Sequence, residues 1–529
     1  MHIQKKYLPI IVSLAIALGI FIGGKLSFND TSDRLFSSNS KKDKINRLID
    51  YIDYEYVDSI NTDSIVDVTV NRILDNLDPH STYIPKTDRE RVANNMKGDF
   101  VGIGVSFYTY KDSVTVIRTL EGGPSEKAGI KGGDRIVVAD GDSIFGPTWS
   151  NDDIVAKLKG EKNSKVKLQV YRRGEPKLLD FKVKRSEVPL KSVDASYMLT
   201  EDLGYIKVNR FAESTYKEFK KGLDNLQNQG ATKLVLDLRD NPGGFLHIAK
   251  QIADEFLEDD KLIVFTKNKK GKIENYLATR KGDFENGEIY VLINENSASA
   301  SEIIAGALQD NDKGTILGRR SYGKGLVQRD MALGDGSAVR LTVSRYYTPT
   351  GRSIQRSYEN GNEDYYHEYY KRIDNGELSD ASNIEVADSL KFTTPKGKVV
   401  YGGGGIIPDV FVPIDKKMEN GTISRILASG IMDYFVFEEL DKDRTSFKNL
   451  SQDEFVKNYV VTNDDLERFT EYLNRRSRYK ITFVAYKEEV KLYLKATLAE
   501  QLYGSEAHMQ VLNTNDVLLK KVKELTTNN

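Results

Sequence analysis

The chain has 529 residues, of which 39% are hydrophobic and 29% charged, enough for several cores and too apolar for a disordered or collagen-like polypeptide. Its 77 Lys and Arg balance 78 Asp and Glu, so no net field steers it onto nucleic acid and function must sit in local sites. Without Cys there is no disulfide framework, thiolate metal site or cysteine nucleophile, and the 5 His (His2, His80, His247, His367 and His508) lack metal-ligand spacing, so neither a metal nor another cofactor is expected.

Residues 7–24 carry no charge and follow Lys5 and Lys6, the pattern of a signal sequence or short signal anchor. At 1.5 Å per residue such a helix spans about 27 Å, sufficient for a thin bilayer. Terminal and apolar on every face, it reads as an anchor rather than a buried globular helix. No convincing A-x-A cleavage site follows. Retention in the inner membrane is therefore expected, with everything after residue 24 on the periplasmic side of a bacterial cell envelope. Residues 1–40 then form anchor and tether.

Residues 41–96 are expected to form a small helical domain, with Leu48, Ile52 and Tyr56 at i, i+4 spacing and a break at Leu77-Asp78-Pro79-His80. His80, after a Pro in a helix-ending turn, reads as a structural hydrogen-bonder rather than a catalytic group. From residue 100 the period changes, predicting strands at 101–107, 114–119, 135–139, 165–171 and 178–184 around a helix at 151–159. The two glycines of Gly102-Ile103-Gly104-Val105 free the backbone to turn N–H groups toward an anion. From residue 204 strands and helices alternate, as in an α/β core. The pattern predicts a strand at 233–239, a turn at Asn241-Pro242-Gly243-Gly244, an amphipathic helix at 245–257, a strand at 288–294, a helix at 301–309 and a hairpin of 326–333 with 337–347. Residues 360–383 are polar and Tyr-rich and read as a surface insertion. The last hundred or so residues have helical periodicity (Val490, Leu494, Leu498, Leu502) but no chemical motif.

Ser299 falls at a strand-to-helix junction, where its hydroxyl can face a substrate and the helix dipole can support a developing oxyanion. The spacing Ser299-x-x-Glu302 equally fits a capping box, in which the hydroxyl only ties off a backbone N–H. Lys324 lies between Gly323 and Gly325; alone, such a Lys reads as a solvated surface residue. Ser321-x-x-Lys324 formally matches the S-x-x-K of penicillin-recognising enzymes, but the chain has neither S-D-N nor K-T-G, and the flanking glycines spoil the helix that motif needs.

The run Gly123-Pro124-Ser125-Glu126-Lys127-Ala128-Gly129-Ile130-Lys131-Gly132-Gly133-Asp134-Arg135-Ile136 resembles the signature of PDZ domains, over residues 97–187. The resemblance implies a small β-barrel with helices, in which a peptide C-terminus adds a strand and loop amides, here at Gly102, Ile103 and Gly104, capture its carboxylate. The Ser299 and Lys324 segments, with 237–244, 305–310, 346–352 and 405–409, resemble the carboxy-terminal processing peptidases, or tail-specific proteases, over about residues 45–413. That resemblance implies Ser299 as nucleophile, Lys324 as general base, Gln328 as the residue orienting the Lys, and an oxyanion hole from the amides of Ala300 and of Gly243 or Gly244. Ser297 and Ser301 are the alternative nucleophiles.

The expected fold is thus multidomain α+β: the N-terminal helical segment, the PDZ domain, a protease core of the ClpP/crotonase-like type at 188–415, and a C-terminal helical region at 416–529. The expected function is a serine endopeptidase that takes unfolded or tail-bearing proteins as substrates. A homo-oligomer is compatible with this reading. The rival is a non-catalytic PDZ adaptor, against which the presence of Ser, Lys and Gln together argues.

Overall fold

The computed structural model describes residues 40–110, 113–146, 148–414, 421–478 and 480–527, with four positions inside 13–18. The expected anchor at 7–24 lies largely outside them; among the described residues no helix is long and apolar enough to cross a membrane. The chain divides into two units, residues 1–76 and 77–529. The first contains the helices Ser40–Glu55 and Thr62–Asp75. The second of these starts at Asn61, whose side chain accepts the Ser64 N–H at 3.2 Å and satisfies one of the amides a helix leaves orphaned.

Residues 77–96, expected within the N-terminal helical domain, belong to the second unit. The reason is pairing: the strand Thr82–Ile84 zips antiparallel onto Ala338–Tyr347, with Thr82 opposite Arg340.

A sheet of 6 strands forms the centre of the second unit, in the order Val193–Met198, Leu203–Val208, Lys233–Asp237, Glu288–Ile293, Gly314–Gly318 and Val410–Phe411. All neighbours are parallel except the first pair. Strands buried on both faces read as continuous apolar runs, and this explains why they are conspicuous in the sequence. Ile206, Val208, Leu234, Leu236, Ile289, Val291 and Ile293 share one face with the helices Thr215–Asn228, Leu246–Asp254 and Ala300–Asp310. The alternating residues Tyr205, Val235, Tyr290 and Leu292 pack instead against Leu518, Leu519 and Val522 of the last helix, Val517–Thr527. The C-terminal region is helical as expected, and its last helix also forms a layer of the α/β core. A second sheet holds Thr82–Ile84, Ala338–Tyr347, Leu262–Asn268 and Ile273–Leu277, with Leu326–Ala332 paired to Ala338–Tyr347.

The PDZ-like portion has strands in the order Val105–Tyr110, Ser113–Thr119, Arg135–Ala139, Lys165–Tyr171 and Leu179–Lys184, around the helix Asn151–Leu158. The single strand expected at 101–107 is broken in two at Ile103 and Gly104, where Gly104 turns to φ +71°. The helices from Gly421 to Tyr503 build their own core on Phe435, Phe455, Phe469, Leu494 and Leu498. They also touch the PDZ-like portion, through Arg135 to Asp441 at 3.4 Å and the ring pair Tyr108–Tyr434 at 5.0 Å.

Candidate active site

Two turns leave the carboxyl ends of adjacent parallel strands, the position at which open α/β sheets place their sites. The turn after Lys233–Asp237 carries residues 239–244, and the turn after Glu288–Ile293 carries residues 294–299. Asn241, fully buried, fixes the first: its amide donates to the Val208 carbonyl and accepts the Gly243 N–H, each at 2.9 Å. Gly243 has φ +105°, and a Cβ there would lie 2.8 Å from the Ser299 Cβ and 3.1 Å from the Ala300 nitrogen. Only glycine lets the two turns close on each other.

Three serines crowd the second turn, and their hydrogen bonds separate them. The Ser297 hydroxyl is buried, donating to the Leu238 carbonyl at 2.8 Å and accepting the Asn294 N–H at 2.9 Å. Ser301 is buried as well and donates to the Asn241 carbonyl at 2.9 Å. Both are occupied in holding the turn. Ser299 is partly exposed and has φ 55°, ψ −111°, a conformation rare for a residue with a Cβ and costing on the order of 1–3 kcal/mol. It is not the extended backbone of an ordinary N-cap. The Glu302 side chain does reach back to the Ser299 N–H at 2.7 Å, but the Glu302 N–H finds the Ser299 carbonyl at 2.9 Å.

Glu302 is fully buried and collects further donors: the Ser321 hydroxyl at 2.6 Å, the Gly323 N–H at 2.7 Å and the Lys324 N–H at 2.9 Å. Burial pushes its carboxyl up from the ordinary range, opposed by these hydrogen bonds to the ionised form. Tyr346, also buried, makes a second bridge, its hydroxyl lying 3.1 Å from the Ser299 carbonyl and 2.7 Å from the Lys324 carbonyl. The Ser321 hydroxyl is committed to Glu302 and to the Ile406 N–H, at 2.6 Å each. Lys324 sits in a loop rather than a helix, so the S-x-x-K reading has neither its serine nor its scaffold.

The Lys324 side chain donates to Gln328 Oε1 at 2.9 Å, and Gln328 Nε2 donates to the His80 carbonyl. Burial, with the Arg340 guanidinium nearby, lowers the Lys324 ammonium to about 8, against weaker support from Glu302 and Asp78. Of the two glycines considered for anion stabilisation, Gly243 has its N–H already bound to Asn241 Oδ1. Gly244 is the exposed one and pairs with Phe211, while Gly243 is the glycine packed against the Ala300 nitrogen at the helix N-terminus.

Residues 202–361 match Peptidase family S41, residues 101–183 a PDZ domain, and residues 422–504 a family of unknown function. A carboxy-terminal-processing protease of Bartonella bacilliformis is 36% identical over 306 residues, covering 57% of this chain and 69% of that protein. The chain belongs to the carboxy-terminal processing proteases. CtpA of Bacillus subtilis is 32% identical over 65% of this chain and 72% of its own length. CtpB of the same organism is 32% identical over 59% of this chain, and the match spans 65% of CtpB.

As a carboxy-terminal processing protease the chain has two site residues that sequence reasoning did not assign, Glu302 and Tyr346. Glu302 was visible only as a capping partner, and Tyr346 only as a letter in a family motif. Their joint role depends on segments about 20 and 47 positions apart in the chain meeting in space. The insertion expected on the surface is a further departure. It folds as the helix Asn362–Asp374, with Tyr365 and Arg372 buried at 2% exposure each. Arg372 donates to the Ser321 carbonyl at 2.8 Å, and Arg356 lies 4.0 and 3.9 Å from the ring centres of Tyr322 and Tyr365. A polar composition hid its inward face.

At the PDZ domain, the Ile103 and Gly104 carbonyls are taken by the Ser125 and Leu120 N–H groups at 2.9 and 3.0 Å, while Gly102 ends a strand paired with Ser186–Pro189. The strand Val105–Tyr110 stands at the edge of its sheet, with the helix Asn151–Leu158 alongside through Thr109 and Asn151 at 2.5 Å.

Proposed function

We propose that the protein is a serine endopeptidase that captures the free C-terminus of an extended polypeptide on its PDZ domain and cleaves it by a Ser299–Lys324 acyl-enzyme mechanism. The observation that carries this reading is that a strained, partly exposed Ser299 and a half-buried Lys324 stand on loops tied to one carboxylate, that of Glu302. An ordinary Lys ammonium, near 10.4, is neutral about once in 2,500 at pH 7, which costs roughly 4.6 kcal/mol. Lowered to about 8, it is neutral about once in ten, and most of that cost disappears.

A neutral amine has one lone pair. With an N–H of Lys324 directed at Gln328 Oε1, the lone pair is free to take the Ser299 proton. The alkoxide attacks the scissile carbonyl, and the N–H groups of Ala300 and Gly244 receive the oxyanion. Collapse, with the Lys324 ammonium giving its proton to the leaving amine, releases the first product and leaves an acyl-Ser299 ester; the again neutral Lys324 then takes a proton from the water that attacks the ester. The loop N–H groups of Ile103 and Gly104 are suited to a terminal carboxylate, and the edge strand Val105–Tyr110 to the residues before it. Val105 and Phe107 lie against the apolar core containing Ile103, Ile154 and Leu158, which favours an apolar tail. Binding there raises the local concentration of substrate at Ser299.

We further propose attachment to the inner membrane through residues 7–24, with the catalytic portion on the periplasmic side; the uncharged run behind Lys5 and Lys6 supports it. The tail reading is tested with matched unstructured substrates bearing a free or an amidated C-terminus. Amidation removes the charge that the loop amides bind and leaves the cleavage region untouched. Faster cleavage of the free form is expected, and equal rates would rule out tail recognition while leaving the Ser–Lys protease intact.

A further inference from the structure

We infer that Tyr365 and the Asp78–His80 turn act together as a positioning device for the Lys324–Gln328 pair, so that the insertion helix Asn362–Asp374 is part of what sets the catalytic geometry. This rests on the Lys324–Gln328 reading above. A glutamine amide presents an oxygen on one side and an NH2 on the other, and nothing in its shape decides which faces the Lys. Here the decision is made by the His80 carbonyl. It accepts Gln328 Nε2, which turns Oε1 toward Lys324 Nζ.

The carbonyl is useful only if the turn carrying it is fixed, and three sets of contacts fix it. Asp78 Oδ1 accepts the N–H groups of His80 and Ser81 at 2.9 Å each, and Oδ2 accepts the Ser81 hydroxyl at 2.7 Å. Thr342, on the strand beside Gln328, donates its hydroxyl to Asp78 Oδ1 at 3.0 Å and its N–H to Ser81 Oγ at 3.1 Å. From the other side the insertion helix holds the turn twice. The Tyr365 hydroxyl lies 2.7 Å from His80 Nε2, and the Tyr366 hydroxyl donates to the Pro79 carbonyl.

Tyr365 is itself clamped. Its ring packs on the Arg356 guanidinium, and the Gln355 amide reaches its oxygen at 3.4 Å. Burial and the Lys324 charge push the His80 imidazole down to about 3, so it stays neutral and keeps an acceptor nitrogen for Tyr365 across the working pH range. The charged and titratable groups facing Lys324 are Arg340, Glu302, Asp78 and His80. Removing the Tyr365 hydroxyl deletes none of these groups and, among them, changes the contacts of His80 alone, whose ring loses its partner.

The test is a double-mutant cycle of Tyr365→Phe with Gln328→Ala, read as the rate at which a serine-reactive phosphonate labels the folded, full-length protein over pH 6 to 10. Tyr365→Phe keeps the ring on Arg356 and removes only the hydroxyl. In the wild-type background it should slow labelling about five- to tenfold, the worth of one hydrogen bond. It should also move the midpoint to lower pH, because an ammonium that loses its Gln328 acceptor is less stabilised. With Gln328→Ala already present, Tyr365→Phe should have no further effect on rate or midpoint. Equal losses in both backgrounds, an unmoved midpoint, or no loss in either would overturn the inference. Full labelling by Gln328→Ala alone would instead overturn the underlying role of Gln328. If Tyr365→Phe lowers the yield of folded protein, Tyr366→Phe, which frees the Pro79 carbonyl, completes the same cycle.

Discussion

Glu302 joins Ser299 to Lys324: one buried carboxylate accepts the backbone N–H of the first at 2.7 Å and of the second at 2.9 Å. The serine turn and the lysine loop come from different strand ends, and this side chain, with the Tyr346 hydroxyl, makes them a single rigid unit.

Glu302→Gln replaces one acceptor oxygen by an NH2 facing backbone donors. Each buried N–H left unmatched costs about 1–3 kcal/mol, so the melting temperature should fall and phosphonate labelling should slow. Glu302 also supports the Lys324 ammonium electrostatically. Its loss should therefore shift the pH midpoint of labelling downward. An unchanged melting temperature would contradict the bridging role.

The three serines should separate cleanly. Ser299→Ala should abolish proteolysis and cost no more than an N-cap, about 0.5–2 kcal/mol, since the fold contact of its hydroxyl is the capping box with Glu302. Ser297→Ala strands the Asn294 N–H and the Leu238 carbonyl and should cost about 1–3 kcal/mol of stability while the protein still labels. Chemical denaturation and labelling, run side by side, check both.

Arg340 is the charge that most depresses Lys324 after burial itself. Arg340→Met removes a positive neighbour, so the ammonium becomes easier to hold, its pKa rises, and the midpoint of the pH–rate curve should move to higher pH. The opposite shift, or none, would show that Arg340 does not act on Lys324.

Leu519, 1% exposed against the central sheet, tests whether the last helix belongs to the core. Leu519→Ala should destabilise by about 2–5 kcal/mol, seen as a lower denaturation midpoint of the α/β portion. A surface helix would lose under about 0.5 kcal/mol.

Much of the fold was legible because its signals are local. The strands Lys233–Asp237 and Glu288–Ile293 are apolar runs, and the PDZ strands alternate between turn residues. The Ser and Lys segments stood out through their glycines and family motifs. What sequence did not reveal depends on which face a side chain turns inward. The Tyr-rich insertion buries Tyr365 although its composition is polar. The last helix covers the second face of the sheet, and that second face cannot be counted from strands hydrophobic on both sides. His80, read as a structural hydrogen-bonder, does bond through its ring to Tyr365. Its backbone carbonyl, which meets Gln328, has no signature in residue type at all.

The most direct measurement is the site and pH dependence of phosphonate labelling on the wild-type protein, mapped by mass spectrometry of its peptides. The account predicts one adduct, on Ser299, forming at a rate that rises with a midpoint near pH 8, where the Lys324 ammonium gives up its proton. An adduct on Ser297 or Ser301, or a rate on Ser299 that stays flat from pH 6 to 10, would contradict it.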